Sequence, residues 1–239
     1  LEVCIVPFMS TTSQTQTYDY PDLPALMTRM TGDEKHSFSA TSTLDVLWTL
    51  YDRVLNIDSD APEAPGRDRF LLSKGHGPMA YYAVLAAKGF VPVDELDRFL
   101  EHDSIFGGHP DRTLVGGVEI SSGSLGHGFP IATGLAHGLR ISEPSSRVFS
   151  LVGDAEFDEG SNYEAIAVAA RLGLGNLTVI VIDNSSASHG WPGGIAARFE
   201  VEGWTSATVD GRDHEEIETG LLDRKPDLPH VLVATVESK

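Results

Sequence analysis

Two polar residues stand at the ends of apolar runs in a pattern suited to binding a hard cation. Asp154 closes "RVFSLVGD", and Asn184 closes "LTVIVIDN" 30 positions later. Short β-branched apolar runs of this kind read as parallel strands buried on both faces. In an open parallel sheet, ligands bind outside the carboxyl ends of such strands. A carboxylate and a carboxamide oxygen there are hard donors for Mg²⁺ or Ca²⁺, with coordination positions left for phosphate and water. The metal, together with amides near the turn after Gly153, would hold a diphosphate. A plainer reading also stands, because Asp and Asn favour turns at strand ends. The other candidates are histidines in Gly-rich settings, His76 in "SKGHG" and His109 in "GGHPD".

The elements that must position these residues are legible around them. The runs 147–152 and 177–183 flank "YEAIAVAARLGLG", whose opening Ser161-x-x-Glu164 fits a capping box. Together they form one βαβ unit, right-handed by strong precedent. "WTSATVD" and "HVLVATV" predict two more strands, with "RDHEEIETGLLD" a helix between them. Upstream, a helix is expected from about residue 42. Ser42-x-x-Asp45 fits a second capping box there, and Leu44, Leu47, Leu50, Tyr51, Val54 and Leu55 share one face. "DSDAPEAPG" (58–66) reads as a loop, and "PMAYYAVLAAKG" (78–89) as a helix with Pro near its first turn and Gly89 closing it. A Gly-rich connection, 107–128, precedes helical spacing at 130–140. A loop that long inside a compact domain is more often functional than idle. Strands alternating with helices place the chain in the α/β class.

Composition narrows the partners. The 239 residues, 41% of them hydrophobic, suffice for one large α/β domain or two small ones. With 35 acidic and 17 basic residues the formal charge is −18. No basic footprint is available for nucleic acid or an anionic membrane. Binding a diphosphate therefore requires a positive field from local donors, a metal or another chain. Cys4 is the only cysteine, which excludes an intrachain disulfide and a thiolate metal cluster. No apolar run approaches the roughly 20 residues of a membrane span. The opening "LEVCIVPF" lacks a basic n-region and makes a poor signal peptide; with Met9 following, it reads as vector or leader sequence. These features suggest a cytoplasmic protein, with 1–35 as an N-terminal extension that is polar from 10 to 35 and 36–239 as the functional domain.

The stretch "LVGDAEFDEGSNYEA…LGLGNLTVIVIDNSSASHG" resembles the thiamine-diphosphate motif of the transketolase family. The resemblance extends to "LSKGHGPMAYYAVLAAKGF", "GGHPD", "GVEISSGSLGHG", "RFEVEGW" and "VDGRDHEEI", and so covers roughly 36–236. It implies a three-layer α/β/α thiamine-diphosphate-binding fold with a mainly parallel central sheet. By resemblance, Asp154 and Asn184 match side-chain metal ligands, and Ser186 matches a backbone-carbonyl ligand. His76 matches a histidine near the diphosphate and substrate, and His109 one beside the thiazolium. His36, in "KHSFSATS", aligns with an N-terminal histidine of the family. Gly123, Leu125 and Gly126 match the segment touching the cofactor rings. Gly153, Ala155 and Ser188 join the cofactor-binding set, as does Glu159, which matches a glutamate at a subunit interface. His127, His137, His189 and His214 fit structural or peripheral roles.

The resemblance implies transfer of a two-carbon ketol unit from a ketose, free or phosphorylated, to an aldose acceptor, with thiamine diphosphate and Mg²⁺ (or Ca²⁺) as cofactors. His36, His76 and His109 would bind donor hydroxyls and move protons. The family's activating glutamate lies in a pyrimidine-binding domain, which here is expected on a partner chain that also carries the C-terminal domain, in an α2β2 heterotetramer. This chain is thus expected to be the N-terminal subunit of a split transketolase, inactive alone. Three features depart from the family. Ala155 replaces a glycine, and if that position needs positive φ a Cβ costs roughly 1–2 kcal/mol. The N-terminal "GHxGG" glycines are absent, and "TVESK" replaces "TxKGxG". Two other readings stay open. One is a subunit of another thiamine-dependent enzyme, such as a 2-oxoacid dehydrogenase or synthase. The other is a non-catalytic regulatory partner that has lost the cofactor.

Overall fold

A computed structural model describes residues 17–30 and 41–238. His36 and the segment 1–16 lie outside the described residues. Five strands form the central sheet: β1 (Arg69–Leu72), β2 (Val148–Gly153), β3 (Leu177–Asp183), β4 (Thr205–Asp210) and β5 (His230–Thr235). Their order is β1-β2-β3-β5-β4 and every pairing is parallel. The expected strands are found within a residue of their predicted bounds. Strand β1 is an addition: "RFLL" is too short to carry a periodic signal, and pairing with β2 from Arg69↔Val148 to Leu72↔Leu151 defines it.

Alternation along the strands feeds two cores, as the pleat requires. On one face, Phe70, Leu151, Ile180 and Leu232 are buried with residues of α1 (Leu23–Arg29), α2 (Leu44–Thr49), α3 (Met79–Ala87) and α7 (His214–Leu222). On the other, Leu71, Val152, Val179 and Val233 meet α4 (Gly128–Ser142), α5 (Gly160–Leu172) and α6 (Gly194–Glu200). The result is the expected three-layer α/β/α arrangement, with each fully buried large apolar side chain worth roughly 1.5–3 kcal/mol. Residues 17–30, within the segment read as an extension, join the first core through Leu23, Leu26 and Met27.

Both expected capping boxes are replaced by tertiary contacts. Helix α2 begins after Thr43 without a side-chain cap. Asp45 instead accepts from Tyr20 Oη (2.5 Å), Arg212 Nη1 (2.7 Å) and His214 Nε2 (3.0 Å). Helix α5 likewise begins after Glu159 without a side-chain cap, and Ser161 Oγ donates to the Gly126 carbonyl (2.6 Å). A true N-cap appears at α7, where the Asp213 carboxylate accepts from the Glu215 and Glu216 amides.

Candidate functional site

The carboxyl ends of β1, β2 and β3 and the connection before α4 supply the candidate residues. Gly153 pairs with Ile182, so Asp154 and Asn184 leave adjacent strands side by side. Both are buried, at 2% and 5% exposure. After Asn184 the chain turns through Ser185, whose φ of 58° is left-handed for a residue with a Cβ. That turn brings the next two amides back towards Asp154. Its Oδ2 accepts from the Ser186 amide (2.6 Å) and the Ala187 amide (3.0 Å). Its Oδ1 accepts from Ser186 Oγ (2.6 Å) and the Ala155 amide (2.9 Å). The Asn184 Oδ1 is buried with no hydrogen-bond donor, an orphaned acceptor. Ser186 thus meets Asp154 through its amide and hydroxyl, both donors.

Ala155 carries no backbone strain. Among the described residues only Leu100 and Ser185 have positive φ without being glycine. The condition under which its Cβ would weaken the site is therefore unmet; Ala155 sits in the 3₁₀ turn Asp154–Asp158.

His76 and His109 come together from distant positions, with ring centroids 5.6 Å apart and planes 72° apart. Glycines permit this approach. Gly123 has φ 127°, and a Cβ there would lie 2.7 Å from the His109 ring; a Cβ on Gly75 would lie 2.7 Å from the Gly123 amide. Gly126 has φ 75°, and a Cβ there would lie 2.6 Å from that of Glu159. Leu125 is half-buried, and its carbonyl oxygen lies 3.1 Å from His127 Nδ1. Ser188 lies on the exposed loop after Ser186, where its amide donates to Asp158 (3.0 Å).

The structure adds a residue that the sequence reading missed. Glu156, 1% exposed, lies at the centre of the three segments. Its Oε1 accepts from Ser73 Oγ (2.6 Å) and the Gly126 amide (3.1 Å), and its Oε2 from the Gly153 amide (3.2 Å). Burial pushes its carboxyl pKa upward, opposed by these three donors and by Lys74. The Lys74 stem lines the space beside Gly153, 3.3 Å from where a Cβ would stand. Nothing in the string "GDAEFDEG" separates Glu156 from Asp158 or Glu159; a buried neighbourhood is a property of the fold alone.

The donor set suits a hard cation and a phosphate. It offers one carboxylate, one unpaired amide oxygen, and backbone amides at a strand-end turn that here converge on Asp154. All four acceptor sites of Asp154 are already filled, so a metal must displace one donor. The Ser186 hydroxyl rotates freely and is the easiest to release.

Comparison with known proteins is consistent with this geometry. Residues 30–234 match the family described as "Transketolase, thiamine diphosphate binding domain". "Ferredoxin fas2" of Rhodococcoides fascians is 58% identical over 220 residues, covering 92% of this chain and 72% of the relative. An apulose-4-phosphate transketolase subunit of Actinobacillus succinogenes is 36% identical over 206 residues, covering 83% and 75%. The solved transketolase of Leishmania mexicana superposes with a TM-score of 0.75 at 23% identity, which establishes likeness of fold. This match covers 92% of the chain but only 37% of that enzyme.

Proposed function

The chain belongs to the transketolase family, in its thiamine-diphosphate-binding domain, and from that premise we propose that it is the N-terminal subunit of a two-chain transketolase. It would transfer a two-carbon ketol unit from a ketose or ketose phosphate to an aldose. The observation that carries the reading is the buried Asn184 Oδ1, left without a donor beside the buried carboxylate of Asp154. A buried orphan acceptor is costly unless a ligand satisfies it.

In this reading Asp154, Asn184 and the Ser186 carbonyl would hold Mg²⁺ (or Ca²⁺), whose charge would help bind a diphosphate. Gly153, Ala155 and Ser188 border the diphosphate, and Gly123, Leu125 and Gly126 border the rings of thiamine diphosphate. Bound there, the cofactor supplies the nucleophilic carbon and electron sink for ketol transfer. His76 and His109, whose rings pack together, would face the sugar and exchange protons with its hydroxyl oxygens, a task imidazole suits near neutral pH. His36 is assigned the same work. Glu159 lies beside the Gly126 turn and is assigned to the contact with a partner chain.

That partner would carry the pyrimidine-binding and C-terminal domains in an α2β2 assembly. The relative named as a transketolase subunit, matched over three-quarters of its length, supports a split arrangement. These 239 residues hold one cysteine, fewer than the four thiolates of an iron–sulfur cluster, and the match accounts for 72% of the 58% identical relative named a ferredoxin. Among the described residues no helix is long and apolar enough to cross a membrane. A cytoplasmic location goes with this reading.

The test is co-purification with the product of the adjacent reading frame, followed by a ketol-transfer assay with thiamine diphosphate and Mg²⁺. Transfer is expected only in the mixture. A stable complex that neither binds the cofactor nor transfers a ketol unit would instead favour a regulatory role.

A further inference from the structure

We propose that Glu156 is a positioning residue that ties the ends of β1 and β2 and the connection before α4 into one preformed unit. The inference rests on the cofactor reading above for its functional meaning, but its geometry is independent of it. Ser73 opens the segment that leads through Lys74 and Gly75 to His76. Gly126 ends the connection that also carries His109 and Gly123. Gly153 immediately precedes Asp154. One carboxylate accepts from all three, at 2.6, 3.1 and 3.2 Å.

The arrangement is built for a carboxylate. All three partners donate, and a carboxamide offers one oxygen where the carboxylate offers two. At 1% exposure no water replaces a lost acceptor, so a Gln at 156 must release a donor or turn its NH₂ towards one. Two further contacts make the three segments a shared problem. A Cβ on Gly128 would lie 2.5 Å from Ser73 Oγ, and Ser161 clasps the Gly126 carbonyl from the far side. Releasing any one donor therefore loosens a neighbour that bears a different site residue. The Glu156 oxygens are occupied by these three donors. The residue acts through His76, His109 and Asp154.

Glu156→Gln is compared with Asp68→Asn, a change to an equally buried carboxylate at the opposite, amino end of β1 and β2, where Arg147 is its partner. Both are made in the full chain, together with the partner chain that co-purifies. Two readouts are taken: calorimetric affinity for thiamine diphosphate with Mg²⁺, and hydrogen exchange of the Gly126 and Gly153 amides without cofactor. Glu156→Gln is expected to weaken cofactor binding roughly tenfold or more and to speed exchange at both glycines. Asp68→Asn, at a similar loss of Tm, is expected to do neither. Ser73→Ala, a milder change, should weaken binding a few-fold and guards against misfolding of Glu156→Gln. Equal behaviour of the Glu156 and Asp68 variants in both readouts would overturn the proposal. If the wild-type complex binds no thiamine diphosphate, the functional reading falls, and the exchange comparison still decides whether Glu156 ties the segments together.

Discussion

Asp154 presents a conflict that the bound state must resolve. Its carboxylate already accepts four hydrogen bonds, two of them from Ser186. Metal ligation must break at least one, and the hydroxyl bond is the one a side-chain rotation removes. Ser186→Ala should therefore leave the affinity for Mg²⁺ and cofactor unchanged or slightly raised, while lowering the stability of the cofactor-free chain by about 1 kcal/mol. Calorimetry and thermal melts on the same preparation separate the two effects; a large loss of affinity would mean that the hydroxyl itself serves the ligand. Asp154→Ala should abolish metal-dependent cofactor binding, and stranding the three amides should cost roughly 1–3 kcal/mol. Normal cofactor affinity in that variant would sink the clamp. Ala155→Gly, an obvious reversion towards the family motif, should bring no gain. Ala155 has ordinary φ, so glycine only adds unfolded-state entropy, worth roughly 0.4–1 kcal/mol of destabilisation.

At the scale of elements, the segment around Gly126 has the least tolerance. Gly126→Ala introduces a Cβ at φ 75°, 2.6 Å from the Glu159 Cβ. It should cost more than roughly 2 kcal/mol and lower cofactor affinity together with Tm. Strand β5 carries a pH dependence of its own. His230 is 1% exposed, held by Thr205 Oγ1 (2.8 Å) and the Gly220 carbonyl (2.9 Å), and burial lowers its pKa. The unfolded chain then binds the proton more readily, so this contribution to stability is full above the ordinary histidine range and falls with acidification below about pH 6.5. The Tm advantage of wild type over His230→Gln should shrink between about pH 7.5 and 5; a constant difference would contradict it. These elements also mark how far sequence carries. Strand β3 was legible because its unbroken run of mostly β-branched residues needs no context. Strand β1 was not, because three apolar residues after an arginine become a strand only beside β2. Asp154 and Asn184 were legible as residues ending such runs. Ser161 and Asp45 looked like caps because capping is a local rule, and tertiary partners overrode it. Glu156 was hidden among many acids that sequence cannot sort by burial.

Across the whole molecule, charge sets the terms of association. The arginines at the amino edge are engaged in structural work: Arg140 on the Leu172 carbonyl, Arg147 on Asp68, and Arg224 on the Gly175 carbonyl. Others pair with surface carboxylates, as Arg29 does with Asp94 and Asp97. A chain of net charge −18 then repels itself, and screening should help it. Its Tm is expected to rise between about 0.02 and 0.5 M NaCl; a fall over that range would show that specific ion pairs outweigh net repulsion. A basic partner should in turn associate faster at low ionic strength.

The pairing of β1 with β2 also bears on how the chain folds. Asp68 and Arg147, bonded across the start of that pair, are 79 positions apart, whereas β2 and β3 enclose a single helix. Closing so wide a span is entropically unfavourable before any contact rewards it, so distant parallel pairing is slow. Pulse-labelling during refolding should find β2 and β3 protected first and β1 last. The histidine that follows β1 would then reach its place only after the rest of the sheet has consolidated. On a ribosome β1 emerges long before β2, so this edge waits unpaired while the intervening residues are made, the interval in which a chaperone or a nascent partner has most to offer.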